Sequence, residues 1–150
     1  MREAVFSILG DVGGARVLDL YSGSGALAIE ALSRGATEAT LVESSAAAIA
    51  AIRRNLDALE LVAEVRRQSV RSFVERALED GRQYDLMFAD PPYRLASSLR
   101  GCGLDRLLAP GARVVAESDR RAPVELETLE LVDERRYGDT LIRIYHASAR

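Results

Sequence analysis

Segments dominated by apolar residues alternate with amphipathic segments along the whole chain. In the amphipathic segments, apolar residues recur at helical spacing, as at Val5, Ile8 and Leu9. The apolar runs between them, such as 15–21 and 84–90, have the length and composition of buried strands. We therefore predict helices at about 2–9, 25–35, 44–59, 70–80 and 95–108, and strands at about 15–21, 38–43, 63–67, 84–90, 112–117, 124–135 and 140–146.

The alternation of strands and helices predicts an α/β fold with a largely parallel sheet that is covered by helices on both faces. No repeat, linker or low-complexity stretch interrupts the pattern, so we expect one domain over residues 1–150. Sheets of this kind bind ligands in the crevice at the carboxyl ends of their strands. The residues that follow each predicted strand are therefore the candidates for chemistry.

The composition of the chain argues against several classes of protein. The hydrophobic fraction is 48%, and no apolar run is long enough to span a membrane. The N-terminus lacks the features of a secretory signal, and the only cysteine, Cys102, can form neither an internal disulfide nor a multi-cysteine metal site. We therefore expect a cytoplasmic protein without a metal. The net charge of −3 argues against a strongly basic nucleic-acid clamp.

The first strand ends in a glycine-rich turn, within VLDLYSGSGALAIEA. Asp19, Gly23 and Gly25 lie across this turn, and Glu43 ends the second strand. The spacing fits the G-x-G-x-x-A pattern of dinucleotide-binding folds, with Glu43 as the acid that binds a ribose. It also fits S-adenosylmethionine (SAM), because a carboxylate at Asp19 would repel a pyrophosphate but suits a ligand that carries an ammonium group. Both interpretations remain open on spacing alone.

The fourth strand is followed by Asp90-Pro91-Pro92-Tyr93. Prolines fix the local backbone and keep it extended, which leaves a rigid rim of hydrogen-bond acceptors. Asp90 and the Pro91 carbonyl could hold the hydrogens of an exocyclic amine on a nucleobase, and Tyr93 could stack on the base. The alternative is a loop that the prolines merely stiffen.

These two motifs resemble those of the RsmD family, bacterial methyltransferases that modify N2 of a guanine in small-subunit (16S) ribosomal RNA. The similarity runs nearly from end to end of the chain. It is carried by REAVFSIL, VLDLYSGSGALAIEALSRGA, the acid in LVES, DPPY, and YGDT at 137–140.

The resemblance implies a Rossmann-like class I SAM-dependent methyltransferase fold, with a mostly parallel seven-stranded sheet whose last strand is antiparallel. It implies that Glu43 holds the ribose of SAM and that Asp90, Pro91, Pro92 and Tyr93 receive the guanine. The cofactor-binding residues that we expect are Asp19, Tyr21, Ser22, Gly23, Gly25, Glu43, Ser69 and Asp90. The expected partner is ribosomal RNA or the small ribosomal subunit, with no membrane and no metal, and the expected state is a monomer.

The chain departs from the family pattern at its start. Family members carry a basic segment and a β-hairpin before the position of Arg2, and they usually have valine at the position of Met1. Because a GTG codon encodes valine internally but methionine at a start, we expect a start site assigned too late, or a fragment. Loss of that segment would also account for the acidic charge balance. In-frame stop codons close upstream would rule out the late start site.

A second departure lies after the third strand, where the family often has Asp or Asn to bind the adenine amino group. This chain has RRQSVRSF there, so Gln68 or Ser69 must substitute. We expect this change to weaken the affinity for SAM.

Three other functions remain as alternatives. The acceptor rim would also suit an adenine-N6 methyltransferase that acts on DNA or RNA. The glycine-rich turn would suit a nicotinamide-dependent oxidoreductase, which leaves the DPPY sequence unexplained. The absent hairpin would suit a SAM-binding remnant without activity.

Overall fold

The computed structural model describes residues 2–99 and 101–149. Within these residues, four α-helices and seven β-strands follow one another in chain order. The helices are α1 (Arg2–Leu9), α2 (Ala26–Ser33), α3 (Ala46–Ala58) and α4 (Val70–Glu79). The strands are β1 (Arg16–Leu20), β2 (Glu38–Glu43), β3 (Glu64–Arg67), β4 (Tyr84–Ala89), β5 (Leu108–Asp119), β6 (Glu130–Tyr137) and β7 (Thr140–His146).

All seven strands form one sheet in the order β3-β2-β1-β4-β5-β7-β6. Neighbouring strands from β3 to β5 are parallel, whereas β7 is antiparallel to both β5 and β6. The predicted mostly parallel sheet with an antiparallel last strand is therefore confirmed.

Helices cover both faces of the sheet, as predicted. Buried residues of α1, α2 and α3, including Phe6, Ile29 and Ile52, form one core with the strands. Buried residues of α4, including Phe73, form a second core on the other face. The parallel strands of the centre are thereby shielded from water on both sides.

The predicted helix at 95–108 is wrong. Two 3₁₀ helices, Tyr93–Leu99 and Leu104–Leu107, occupy this region, and Arg100 lies outside the described residues. Gly101 and Gly103 between them have φ of 66° and 93°, and a right-handed helix cannot continue through such a conformation.

The bounds of two predicted strands are also wrong. The strand predicted at 112–117 is longer, since β5 extends from Leu108 to Asp119, and the strand predicted at 124–135 begins only at Glu130. The earlier apolar residues belong to a loop that packs on the sheet. Val124 is buried there, and its carbonyl accepts a hydrogen bond from the Tyr145 hydroxyl at 2.7 Å.

None of the described helices is both long enough and apolar enough to cross a membrane.

The turn from β1 to α2 carries three residues with positive φ, namely Tyr21, Gly23 and Gly25. The two glycines serve different purposes. A Cβ at Gly23 would meet nothing within 4 Å, whereas a Cβ at Gly25 would lie 2.9 Å from Leu41 Cδ2 and 3.2 Å from Ile52 Cγ1. Gly25 thus lets α2 pack closely on β2 and α3, and its predicted part in the cofactor site stays a prediction.

We expect Gly25→Ala to destabilise the fold more than Gly23→Ala. Both substitutions place a side chain in the left-handed region, at a cost of about 1–2 kcal/mol. Gly25→Ala additionally overpacks the core, which adds about 1–3 kcal/mol to the loss in free energy of unfolding. Urea denaturation of both variants measures the difference, and equal losses would contradict the packing role.

Candidate functional site

Four carboxyl ends of parallel strands meet at one edge of the sheet. Leu20 in β1 pairs with Val42 on one side and Ala89 on the other, and Ala89 in turn pairs with Ala116 in β5. The residues that follow these four are therefore side by side at the same edge. They are Tyr21, Glu43, Asp90 and Glu117.

A cavity of about 240 Å³ opens at this edge. Three of the predicted cofactor residues, Tyr21, Glu43 and Ser69, meet in its wall. The complete lining is Tyr21, Val42, Glu43, Ser44, Gln68, Ser69, Val70, Arg71, Leu95, Leu99 and Cys102. The wall combines aliphatic side chains with a few polar groups, which is the usual character of a small-molecule site.

Glu43 ties the glycine-rich turn to the end of β2. Its Oε1 accepts a hydrogen bond from the Gly23 amide at 2.9 Å, and its Oε2 accepts one from the Ser45 amide at 2.9 Å. Each carboxylate oxygen can accept a second hydrogen bond. Glu43 is thus held in a fixed position and can still accept hydrogen bonds from the hydroxyls of a ribose.

Asp19 lies beneath the turn rather than in the cavity wall. Its side chain is buried, with 4% of the residue exposed, and its Oδ2 accepts a hydrogen bond from the Ala28 amide at 3.3 Å. Burial raises its pKa well above the usual value, and the nearby charge of Asp90 adds to this shift. Asp19 is therefore not part of the cavity lining, and its predicted contact with a cofactor ammonium stays a prediction.

Tyr21 adopts φ of 58°, which is uncommon for a residue with a side chain. Such strained residues are concentrated at functional sites. The next residue, Ser22, supports the turn, since its amide donates to the Val42 carbonyl at 3.1 Å and its hydroxyl donates to the Asp19 carbonyl at 2.6 Å. Ser22, Gly23 and Gly25 thus shape the site, and none of them is part of the cavity lining.

Gln68 and Ser69 lie in the cavity wall after β3, where the sequence predicts a substitute for the family's adenine-binding residue. The Ser69 hydroxyl caps α4 by accepting a hydrogen bond from the Ser72 amide at 3.1 Å. The Gln68 Nε2 donates to the Ser72 hydroxyl at 3.2 Å, and this orients its carbonyl oxygen as an acceptor. Gln68 is therefore better suited than Ser69 to accept a hydrogen bond from an amino group.

The rim after β4 begins with Asp90, which is accessible to solvent although protein atoms crowd part of its carboxyl group, and continues with Pro91, which is buried. The Pro92 carbonyl accepts a hydrogen bond from the Leu95 amide at 2.8 Å, which closes the turn into the first 3₁₀ helix. Tyr93 projects from this turn with 58% of the residue exposed. Its ring is therefore available for stacking.

The sequence did not indicate that Arg121 belongs to the site. Its guanidinium lies over the Tyr93 ring, 5.6 Å from the centroid, which is within the range of a cation–π contact. Asp119 holds this guanidinium with two hydrogen bonds of 2.9 Å. No pattern in the sequence connects residues 93 and 121, since only the pairing of β4 with β5 brings them together.

Glu117 is the second site residue that the sequence analysis missed. It follows β5 residue Ala116, the partner of Ala89, and so lies beside Asp90. Partial burial raises the pKa of Asp90 to about 6, and repulsion from Glu117 contributes to the shift. Burial also raises the pKa of Glu117. The signal in the sequence that could have identified Glu117 was an acid at the end of the fifth predicted strand.

Among the described residues, no group of His, Cys, Asp and Glu side chains could hold a metal ion.

Comparison with known proteins identifies relatives of the whole chain. The model of the family described as conserved hypothetical protein 95 matches residues 1–146. Ribosomal RNA small subunit methyltransferase D of Escherichia coli (strain K12) is 32% identical over 157 residues, which cover 100% of this chain and 78% of that protein.

Solved structures share the fold. A conserved hypothetical protein of Streptococcus pyogenes has a TM-score of 0.84 and 34% identity, over 99% of this chain and 96% of that chain. A more distant structure, SMU.776 in complex with SAH, has a TM-score of 0.75 and 17% identity, over 93% of this chain and 47% of that chain. The distant structure supports the fold alone.

We expect the Asp90 carboxyl to titrate near pH 6 in the ligand-free protein, as followed by carbon-13 NMR. Glu117→Gln removes the repelling charge, so the midpoint falls, but it stays above 3.8 because the larger cause, burial, remains. Glu75→Gln, on the exposed surface of α4, serves as the matched control and leaves the midpoint unchanged. A wild-type midpoint near 3.8, or no response to Glu117→Gln, would contradict this account of the rim.

Proposed function

The chain belongs to the conserved hypothetical protein 95 family, the RsmD family of methyltransferases, and from this premise we propose that it methylates small-subunit ribosomal RNA. The methyl donor in this proposal is SAM, and the acceptor is the exocyclic N2 of a guanine. The observation that carries the proposal is the position of the acceptor rim, Asp90–Tyr93, at the same sheet edge as the cavity with Glu43 in its wall.

The cavity has the groups that the adenosine part of SAM requires. Glu43 accepts hydrogen bonds from the ribose hydroxyls, and the Gln68 side chain accepts one from the adenine amino group. The aliphatic residues Val42, Val70 and Leu99 offer apolar contacts to the flat adenine.

Electrostatics favour SAM over a dinucleotide. Carboxylates crowd this edge of the sheet, and they are Glu43, Asp90 and Glu117. A pyrophosphate placed among them would be repelled, whereas SAM has no phosphate and carries positive charge on its ammonium and sulfonium groups. The nicotinamide-dependent alternative is therefore disfavoured by the charge of the site.

The acceptor rim can orient the weakly reactive amino group that is to be methylated. An exocyclic amino group is a poor nucleophile because its lone pair is delocalised into the ring. Asp90 and the Pro91 carbonyl accept hydrogen bonds from its two N–H groups, and Tyr93 stacks on the base, so that the nitrogen is held in one orientation. Bound SAM would supply an activated methyl group, and its neutral thioether, S-adenosylhomocysteine, would be the leaving group. Asp90, with a pKa of about 6, then accepts the proton that the methylated nitrogen loses.

Two measurements on the purified 150-residue protein test this proposal. Calorimetric titration with S-adenosylhomocysteine, with NAD as the control, tests the cofactor. Transfer of labelled methyl from SAM to undermethylated small ribosomal subunits, followed by nucleoside analysis, tests the substrate. We expect binding of the homocysteine product, no binding of NAD, and label in N2-methylguanosine.

Each alternative function has its own outcome in these measurements. Label in N6-methyladenine would favour the adenine methyltransferase, and binding of NAD would favour the oxidoreductase. Binding of the homocysteine product without any transfer to RNA would indicate a cofactor-binding remnant. Each of the three outcomes would contradict the proposal.

We expect Asp90→Ala to abolish methyl transfer almost completely while the affinity for S-adenosylhomocysteine is kept. The substitution removes the acceptor for the base amine, but it leaves the cavity lining unchanged. Asp57→Ala, on the exposed surface of α3, is the matched control and retains full activity. The assays are single-turnover methyl transfer and calorimetry, and equal loss of both properties would refute the role assigned to Asp90.

A further inference from the structure

A second surface groove, of about 380 Å³, is dominated by arginine. We call it the arginine groove. Its lining residues are Arg120, Pro123, Glu134, Arg136, Leu141 and Arg143. Arg120 and Arg136 are exposed, and Arg143 is half-buried. The groove thus presents the guanidinium groups of Arg120 and Arg136 to solvent, beside the Glu134 carboxylate and the largely buried side chain of Arg143.

The arginine groove and the acceptor rim are linked through two adjacent residues. Arg121 lies over the ring of Tyr93, and its neighbour Arg120 lines the groove. Because Asp119 pairs with Thr140 and Thr140 pairs with Tyr137, the groove extends from the end of β5 across β7 to β6. A chain that delivers a base to Tyr93 can therefore continue along these arginines.

Two of the three arginines are held in place by ion pairs. Arg143 Nε lies 2.7 Å from Glu134 Oε1, and Arg120 Nε lies 3.2 Å from Asp139 Oδ1. Arg136 has no carboxylate partner among the described residues. The groove therefore keeps an excess of positive charge, and two of its guanidinium groups are already oriented.

This chemistry fits the phosphodiester groups of RNA. The planar guanidinium donates two parallel hydrogen bonds to a phosphate, and arginine is the usual residue for this contact. Phosphate contacts set the position of a nucleic-acid strand without reading its sequence. The overall charge of −3 does not exclude such binding, because three arginines line the groove together with a single carboxylate, Glu134.

We propose that Arg120, Arg136 and Arg143 bind phosphates of the RNA strand whose base enters the rim at Asp90–Tyr93. This inference rests on the proposed function and deepens it. The groove residues are positioning residues, since they contact the backbone of the substrate and not the reacting atoms. Their loss should change the affinity for RNA and leave the chemical step intact.

The test compares two double variants of the 150-residue protein. The first, Arg120→Gln with Arg136→Gln, removes one paired and one unpaired arginine from the groove. The second, Arg76→Gln with Arg53→Gln, is the matched control. Arg76 is paired with Asp80 at 3.4 Å on α4, and Arg53 is exposed on α3. Both double variants therefore lose the same charge.

The readout is the salt dependence of binding to deproteinised small-subunit ribosomal RNA, with the protein loaded with S-adenosylhomocysteine. The logarithm of the binding constant falls linearly with the logarithm of the salt concentration. Each lost phosphate contact makes this slope less steep by about 0.7–0.9. We expect the groove variant to lose about 1.5 from this slope, whereas the control keeps the wild-type slope. In the methyl-transfer assay, the groove variant should show a KM for RNA raised about tenfold with an unchanged kcat.

The outcomes separate this inference from the proposed function. Equal slopes for the groove variant and the control, or no RNA binding by the wild-type protein, would overturn the arginine groove as an RNA site. If the groove variant binds RNA more weakly but the wild-type protein transfers no methyl group, the groove stands and the proposed reaction fails. If the wild-type protein transfers methyl groups and the groove variant has an unchanged KM, the reaction stands and the groove fails.

Discussion

The parallel pairing of β1 with both β2 and β4 is the constraint on which the site depends. Parallel neighbours end at the same edge, so this pairing places Tyr21 between Glu43 and Asp90. The same register brings Glu117 next to Asp90 through β5. A cofactor cavity and an acceptor rim thus arise at one edge from residues that are far apart in the sequence, and the close packing at Gly25 holds α2 against this arrangement.

The charges of the molecule are divided between two neighbouring surfaces. The edge with the cavity is acidic, and partial burial together with mutual repulsion raises the pKa of Asp90 to about 6. This surface suits a positively charged cofactor and a neutral base. The adjacent arginine groove is basic and suits the backbone of a nucleic acid. A net charge taken over the whole chain hides this difference between the two surfaces.

The sequence predicted most of the fold and part of the site. Glycine-rich and proline-rich strand ends are local signals, so Glu43, Asp90 and Tyr93 could be found without a structure. Arg121 could not, because its contact with Tyr93 arises only from the folded sheet. The helix predicted at 95–108 failed because Gly101 and Gly103 adopt positive φ. The location of Asp19 could not be predicted either. Its position in the sequence is compatible with a carboxyl that lines the cavity, whereas in the structure the carboxyl is buried beneath the turn.

The crystal structure of the protein with bound S-adenosylhomocysteine would test the central claim most directly. The account predicts the adenosine in the cavity, with the ribose hydroxyls on Glu43, the adenine amino group on Gln68 and the sulfur facing the rim at Asp90. A ligand bound outside this cavity, or a ribose without contact to Glu43, would contradict it.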